Sequence, residues 1–324
     1  MIEVNHITKR YGEHIALDDV SFTLRNDRIY GLLGPNGAGK STTMNILTGC
    51  LAPSEGEVTV NGYDLYKHSL EAKKQIGYLP ERPPVYGDMT VYEYLDFVAE
   101  AKGIRSADVR EGQVERVMKA TDTADVSDRL IKNLSKGFQQ RVGIAQALLG
   151  DPSIIILDEP MVGLDPRQVM EMRALIRKLA HNRTVIVSSH ILALISEICD
   201  HIIILAKGRV VADDELEVLE KAATVGGLAL TVKGDPEAVR ETLLAVDGVR
   251  SVELGAVEGS KEAPVVTVTV HTDKTADVRD DIFFALADKR YAVISMEEKE
   301  SSLEQIFISL TDDPSDDTKE DDEE

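Results

Sequence analysis

Cysteine is scarce. There are two in 324 residues, Cys50 and Cys199. Both lie in helical-looking segments without the spacing of a metal site, so they read as reduced core residues, and a disulfide scaffold or zinc centre is excluded. No apolar run reaches the ~18 residues that a bilayer-spanning helix needs. "IIILDEP" and "HIIILA" suit short buried strands instead. The opening "MIEVNHITKRYG" lacks the apolar stretch of a signal peptide, and the expectation is a cytoplasmic protein. Positive charge is short as well. The balance of 36 Lys and Arg against 57 Asp and Glu gives a net charge of −21, which argues against nucleic-acid binding through the whole surface. Much of the excess falls in "DDPSDDTKEDDEE", which has no apolar period. Residues 312–324 therefore read as a disordered acidic tail, either solvated or an interaction tail.

The length allows about two domains. Up to about residue 65 the pattern alternates as strands, with "PSEGEV" and "NGY" as turns. "TVYEYLDFVAEAKGI" and "SADVREGQVERVMKATD" are helical, and "NLSKGFQQRVGIAQALLGDP" is a loop running into a helix. This marks a helical subdomain over about 90–150. "SIIILDEP", "TVIVSSH" and "HIIILAKGRVVADD" supply two buried strands and a hairpin, with helices at "PRQVMEMRALIRKLAHN" and "ILALISEICD". Strands alternating with helices imply a largely parallel sheet, here with an antiparallel β layer attached: an α/β fold over residues 1–220. Composition changes after about Leu219. Residues 221–311 read β-α-β-β-α-β, the ferredoxin-like order of an α+β domain, closed by a short helix at "SSLEQIFISLT". No internal repeat is present.

"YGLLGPNGAGKSTTMNILTG" carries three glycines and a proline within six residues, then a lysine and three hydroxyls. Packing does not call for that pattern, because glycine costs chain entropy and adds nothing to a core. Phosphate binding does. Gly34, Pro35, Asn36, Gly37, Ala38, Gly39, Lys40 and Ser41 match the phosphate-cradling loop G-x-x-x-x-G-K-[ST], between a buried strand and a helix that ends near Gly49. The backbone N–H groups form an anion nest, and the helix N-terminus adds unpaired donors. Lys40 reaches the β- and γ-phosphates. Ser41 offers its hydroxyl to Mg²⁺, and Thr42 follows it on the nucleotide side. The motif alone leaves kinases, GTPases, helicases and transport ATPases open.

"IIILDE" sets Asp158 and Glu159 at the C-terminal end of a buried strand, where open α/β sheets bind ligands. Asp158 would hold Mg²⁺ through water, and Glu159 would polarise the attacking water. His190 ends a second buried strand at the same sheet edge, within reach of a γ-phosphate or the water.

With these residues in order, residues 1 to about 220 resemble the ATP-binding subunit of an ATP-binding-cassette (ABC) transporter. "LSKGFQQR" is similar to that family's signature, with Lys136 in place of its first glycine and Phe138 after Gly137. The resemblance implies that Ser135 and Gly137 touch a γ-phosphate. It also implies that Asp165, in "GLDP", belongs to the loop after the catalytic strand. Tyr11 sits where the family stacks an aromatic on adenine, although a strand-edge tyrosine would look the same. Glu81 stands where the family has glutamine, facing Mg²⁺ and water. The branch with a C-terminal extension pairs with separate permeases of the ABC-2 type, in exporters of drugs, peptides, polysaccharides or lipids and in gliding-motility components.

The resemblance further implies a head-to-tail dimer of two copies, with ATP between the phosphate loop of one and Ser135 and Gly137 of the other. A permease would dock in a groove near Glu81 and "RPPVYGDMTVYEY", holding the protein on the inner face of the cell membrane. Two alternatives stay open. One is a non-transport ABC ATPase. The other is a stand-alone switch whose C-terminal domain senses a ligand.

Overall fold

The structure, a computed structural model, describes residues 1–223, 227–260, 263–272, 278–298, 307–308 and 311. The expected acidic tail, 312–324, lies outside the described residues, as does most of the short helix expected at 301–311. The chain divides into two compact units, one built on Met1–Leu216 and one on Glu217–Ile308.

In the first unit the order is β1 (Ile2–Tyr11), β2 (His14–Leu24), β3 (Ile29–Leu33), α1 (Lys40–Leu47), β4 (Glu55–Val60), β5 (Tyr63–Asp64), α2 (Ser69–Lys74) and β6 (Ile76–Leu79). Then come α3 (Val91–Ala101), α4 (Ala107–Ala120), α5 (Lys136–Leu148), β7 (Ile154–Leu157), α6 (Pro166–Leu179) and β8 (Thr184–Ser189). The unit closes with α7 (Leu192–Ile195), β9 (His201–Ala206) and β10 (Arg209–Glu215), and α8 (Leu216–Ala223) starts at the division.

Two sheets result. One is antiparallel, in the order β2-β1-β4-β5; the other runs β10-β9-β3-β8-β7-β6, with β6 to β9 parallel and β10 an antiparallel edge. Every residue of β3, β7 and β8 is buried, as in strands covered on both faces, including the hydroxyl residues Thr184, Ser188 and Ser189 of β8. Ile2, Val4, Ile7 and Phe22 of the antiparallel layer share one core with Leu32, Ile154, Ile186 and Leu205, and α1 adds Met44, Ile46 and Leu47. Each such side chain contributes ~1.5–3 kcal/mol on burial.

The helical insert consists of α3, α4 and α5, with α5 packed on both of its neighbours and on β6. A capping box starts α3: Thr90 accepts from the Glu93 amide, and the Glu93 carboxylate accepts from that of Thr90. At its other end, Lys102 donates to the carbonyls of Gln146 (2.8 Å) and Leu149 (2.9 Å), closing the last turn of α5. The β9–β10 hairpin turns at Lys207 and Gly208, both with positive φ, as a two-residue reverse turn needs.

Two expectations need correction. Cys199 is buried, but Cys50 is exposed. Gly49, at φ +69, ends α1 and turns the chain outward one residue before it. The helix expected over "ILALISEICD" is a single turn, α7. The chain must swing back so that Asp200 can accept from the Ile29 amide (2.8 Å), and Ile195 and Cys199 close over Gly31.

The second unit contains β11 (Gly227–Lys233), α9 (Pro236–Leu244), β12 (Val249–Ser260), β13 (Ala263–Thr272), α10 (Arg279–Asp288) and β14 (Ala292–Glu298). Its sheet is antiparallel, in the order β12-β13-β11-β14. Val239 and Leu243 of α9 and Ile282 and Leu286 of α10 share a core with Leu230, Val232, Val266 and Val268.

Candidate functional site

The C-terminal ends of β3, β6, β7 and β8 deliver four segments to one edge of the six-stranded sheet. The β3 end runs into the glycine loop. A Cβ on Gly34 would stand 2.4 Å from the Leu205 carbonyl oxygen, so only glycine fits against β9. Gly39 caps α1 at φ +105, where a Cβ would meet Leu17 at 2.6 Å. These constraints fold the loop back over the start of α1. Lys40 is 7% exposed, and its ammonium donates to the carbonyls of Gly34 (2.6 Å) and Pro35 (3.0 Å). Burial pulls its pKa down, while Glu159 and Asp158 push it back up.

Asp158 and Glu159 follow β7. The buried Asp158 accepts from the Ser188 hydroxyl at 2.5 Å. Burial pushes its carboxyl pKa above the usual range; Glu159 and Glu81 add to this, and Ser188 and Lys40 oppose it. Glu159 has a left-handed backbone, φ +49, a conformation that costs a residue with a Cβ about 1–3 kcal/mol. Its amide donates to Ser188 Oγ (2.9 Å), and its carboxylate lies 2.8 Å from His190 Nδ1. The turn carrying His190 is fixed by Ser189, whose hydroxyl accepts from the Ile191 amide at 3.0 Å.

A cavity of ≈ 490 Å³ gathers Tyr11, Asn36, Gly37, Gly39, Lys40, Ser41, Thr42, Glu81, Glu159 and His190. His14, Ala16 and Val162 line it too. No motif marks them, and their only signal is sequence proximity to Tyr11 and Glu159. Tyr11 is half-exposed at the end of β1, with the Lys9 ammonium 5.4 Å from its ring centre. Gly34, Ala38 and Asp158, which are buried, and Pro35, which is exposed, adjoin this lining in sequence without being part of it. Ala38 is buried, and its amide donates to the Pro35 carbonyl (3.2 Å).

Three predicted residues are not brought to this cleft. Ser135 and Gly137 line a different cavity, of ≈ 450 Å³, with Phe138, Arg141, Gln168 and Lys178. Ser135 caps α5, and Asp165 caps α6 by accepting from the Gln168 amide (2.9 Å). Lys136 lies between the two segments. Its ammonium is where a Cβ on Gly163 would stand, and it forms no hydrogen bond or ion pair among the described residues.

A divalent cation suits the first cleft. Asp158 and Glu159 act on the Lys40 ammonium, and Glu81 lines the same cavity; burial first, then the charges of Glu159 and Glu81, hold the Asp158 carboxyl up. Ser41 is exposed to the cavity. Among the described residues no three metal-binding side chains converge, so phosphate and water oxygens would complete the coordination sphere.

A glycine loop at a helix start, facing a strand-end carboxylate pair and a histidine, defines a P-loop nucleotide hydrolase. Comparison with known proteins narrows the class. The ABC transporter family model matches residues 17–162. The bacitracin transport ATP-binding protein BcrA of Bacillus licheniformis is 35% identical over 223 residues, 68% of this chain and 72% of that protein. The linearmycin resistance ATP-binding protein LnrL of Bacillus subtilis (strain 168) is 29% identical over 315 residues, 96% and 98% of the two chains. A solved dimeric ATP-binding cassette, in a post-hydrolysis state bound to ADP and Pi, superposes with a TM-score of 0.60. It is 27% identical and covers 67% of this chain and 99% of that one.

The chain therefore belongs to the ABC transporter family. It is an ATP-binding subunit whose ATP hydrolysis is coupled to transport, and its relatives include ATP-binding proteins of bacitracin transport and linearmycin resistance. ABC ATPases dimerise and work with permeases. Among the described residues no helix is long and apolar enough to cross a membrane.

Proposed function

We propose that two copies of this chain pair head to tail and power an exporter. ATP sits between the glycine loop of one copy and Ser135 and Gly137 of the other. One observation carries this reading. Lys40, Glu159 and His190 share one cavity, while Ser135 and Gly137 line another. Each copy thus presents half of a site, and a second copy brings the N-terminus of α5 to the open cleft.

Within the closed site Tyr11 stacks on the adenine. The amides of Gly34 to Gly39, with Lys40 and Thr42, hold the phosphates, and Asp165 borders the joint between copies. Ser41 would ligate Mg²⁺, with Asp158 and Glu81 reaching it through water. When bound, that ion neutralises charge on the phosphate oxygens. Lys40 and His190 stabilise the charge that moves to the terminal and bridging oxygens. Glu159 takes the proton of the attacking water as its oxygen bonds to the terminal phosphorus. The bond to the bridging oxygen breaks, leaving ADP and phosphate, and the joint opens.

The permease, of the ABC-2 type, docks beside Glu81. Tyr86, 53% exposed, supports this: its ring packs against Tyr94 (6.0 Å) and Phe97 (5.7 Å), forming an aromatic step at the start of α3. The subunit then works on the cytoplasmic face of the membrane. Residues 1–220 act as the ATPase domain and 221–311 as an accessory domain. The strand order β12-β13-β11-β14 supports a ferredoxin-like fold for the latter.

Glu159→Gln tests the core of this reading. We expect ATP affinity by calorimetry to stay within a few-fold, turnover to fall by at least about 100-fold, and an ATP-loaded dimer to accumulate in light scattering. Steady hydrolysis by this variant would rule out Glu159 as the base. A monomer at saturating ATP would rule out the pairing.

A further inference from the structure

We propose that Ser188 is a positioning residue for hydrolysis. Its single hydroxyl sets both the carboxylate of Asp158 and the backbone of Glu159. The proposal deepens the assignment of Glu159 as base and rests on it.

Ser188 lies near the end of β8 and is 0% exposed, after an apolar run. A hydroxyl there is costly unless both its donor and its acceptor capacity are used. Both are used, in a direction that the chemistry forces. The Glu159 amide can only donate, so Ser188 Oγ accepts from it at 2.9 Å. The serine proton then goes to Asp158 Oδ1, 2.5 Å away. One oxygen atom thus ties two successive residues of one strand end to the neighbouring strand.

The tie falls where the backbone needs one. Glu159 is left-handed at φ +49, and a residue with a Cβ leaves that region unless its surroundings hold it. With its amide held, the Glu159 side chain lines the cavity and meets His190 Nδ1 at 2.8 Å. Ser188 itself does not line the cavity. It acts through Glu159 and Asp158 and is not a catalytic residue.

Ser188→Ala removes the oxygen and leaves the strand. We expect turnover to fall about 10- to 100-fold while calorimetric ATP affinity stays within about threefold. The ATP-loaded dimer should accumulate, as for Glu159→Gln. Without nucleotide, hydrogen exchange at the Glu159 amide should speed up by about tenfold or more. Ser188→Thr keeps the hydroxyl on a residue suited to strands and should retain most of the turnover. Wild-type turnover in Ser188→Ala, or unchanged exchange at Glu159, overturns the proposal. Should the alanine variant not fold, a folded Ser188→Thr with turnover as low as that of Glu159→Gln overturns it as well. If Glu159→Gln itself hydrolyses ATP, the base assignment fails, whereas the exchange at Glu159 still reports on Ser188 alone.

Discussion

Lys136 is a cation at the first position of α5, where the helix already presents its positive end. It has no acidic partner among the described residues and lies against Gly163 instead. In the isolated subunit that arrangement is unfavourable by a few tenths of a kcal/mol. It would become favourable in the proposed pairing, where a triphosphate from another copy meets the end of α5. Lys136→Glu should therefore raise the stability of the nucleotide-free protein by about 1 kcal/mol, read as a higher Tm, and weaken ATP-driven dimerisation in light scattering by at least about tenfold. Lys40 and its glycines were legible in the sequence because the whole device is contiguous. That Glu159 and His190 fall at one sheet edge was legible because both follow buried strands; their 2.8 Å contact was not. Ser188 was not. Its sign was a serine next to another serine at the end of an apolar strand, and only the neighbouring strand reveals what it bonds.

Among the elements, α5 is held at both ends. Ser135 caps its start, and Lys102 satisfies the carbonyls of its last turn. Lys102→Met should leave those carbonyls to water. The loss is about 1 kcal/mol at this partly exposed end, a Tm drop of about 2–4 °C by thermal melting. An unchanged Tm would mean that water replaces the ammonium in full. The apolar runs of β3, β7 and β8 could be read from sequence because burial on both faces leaves no other pattern. α7 could not. Ile195, Ile198 and Cys199 keep a helical spacing, yet they serve a turn that closes over Gly31, where the missing side chain leaves room. The unlike fates of Cys50 and Cys199 follow from Gly49, whose positive φ cannot be seen in a hydrophobic pattern.

At the scale of the whole molecule, the charge of −21 includes a terminal segment with nine acidic residues and one lysine over 312–324. The segment contains no large apolar residue. Removing it should leave steady-state ATPase activity within about twofold of the full chain; a larger loss would give the acidic segment a role in the site. The two groups of residues proposed to meet across ATP line separate cavities of the first unit, and α5 starts beside one of them. Its far end is tied by Lys102 to the C-terminal end of α3, the helix whose start carries the aromatic step. Thirteen residues of unbroken helix make a strut about 20 Å long. A tilt imposed on α3 from outside cannot be absorbed along such a rod, and it arrives at Ser135 as displacement.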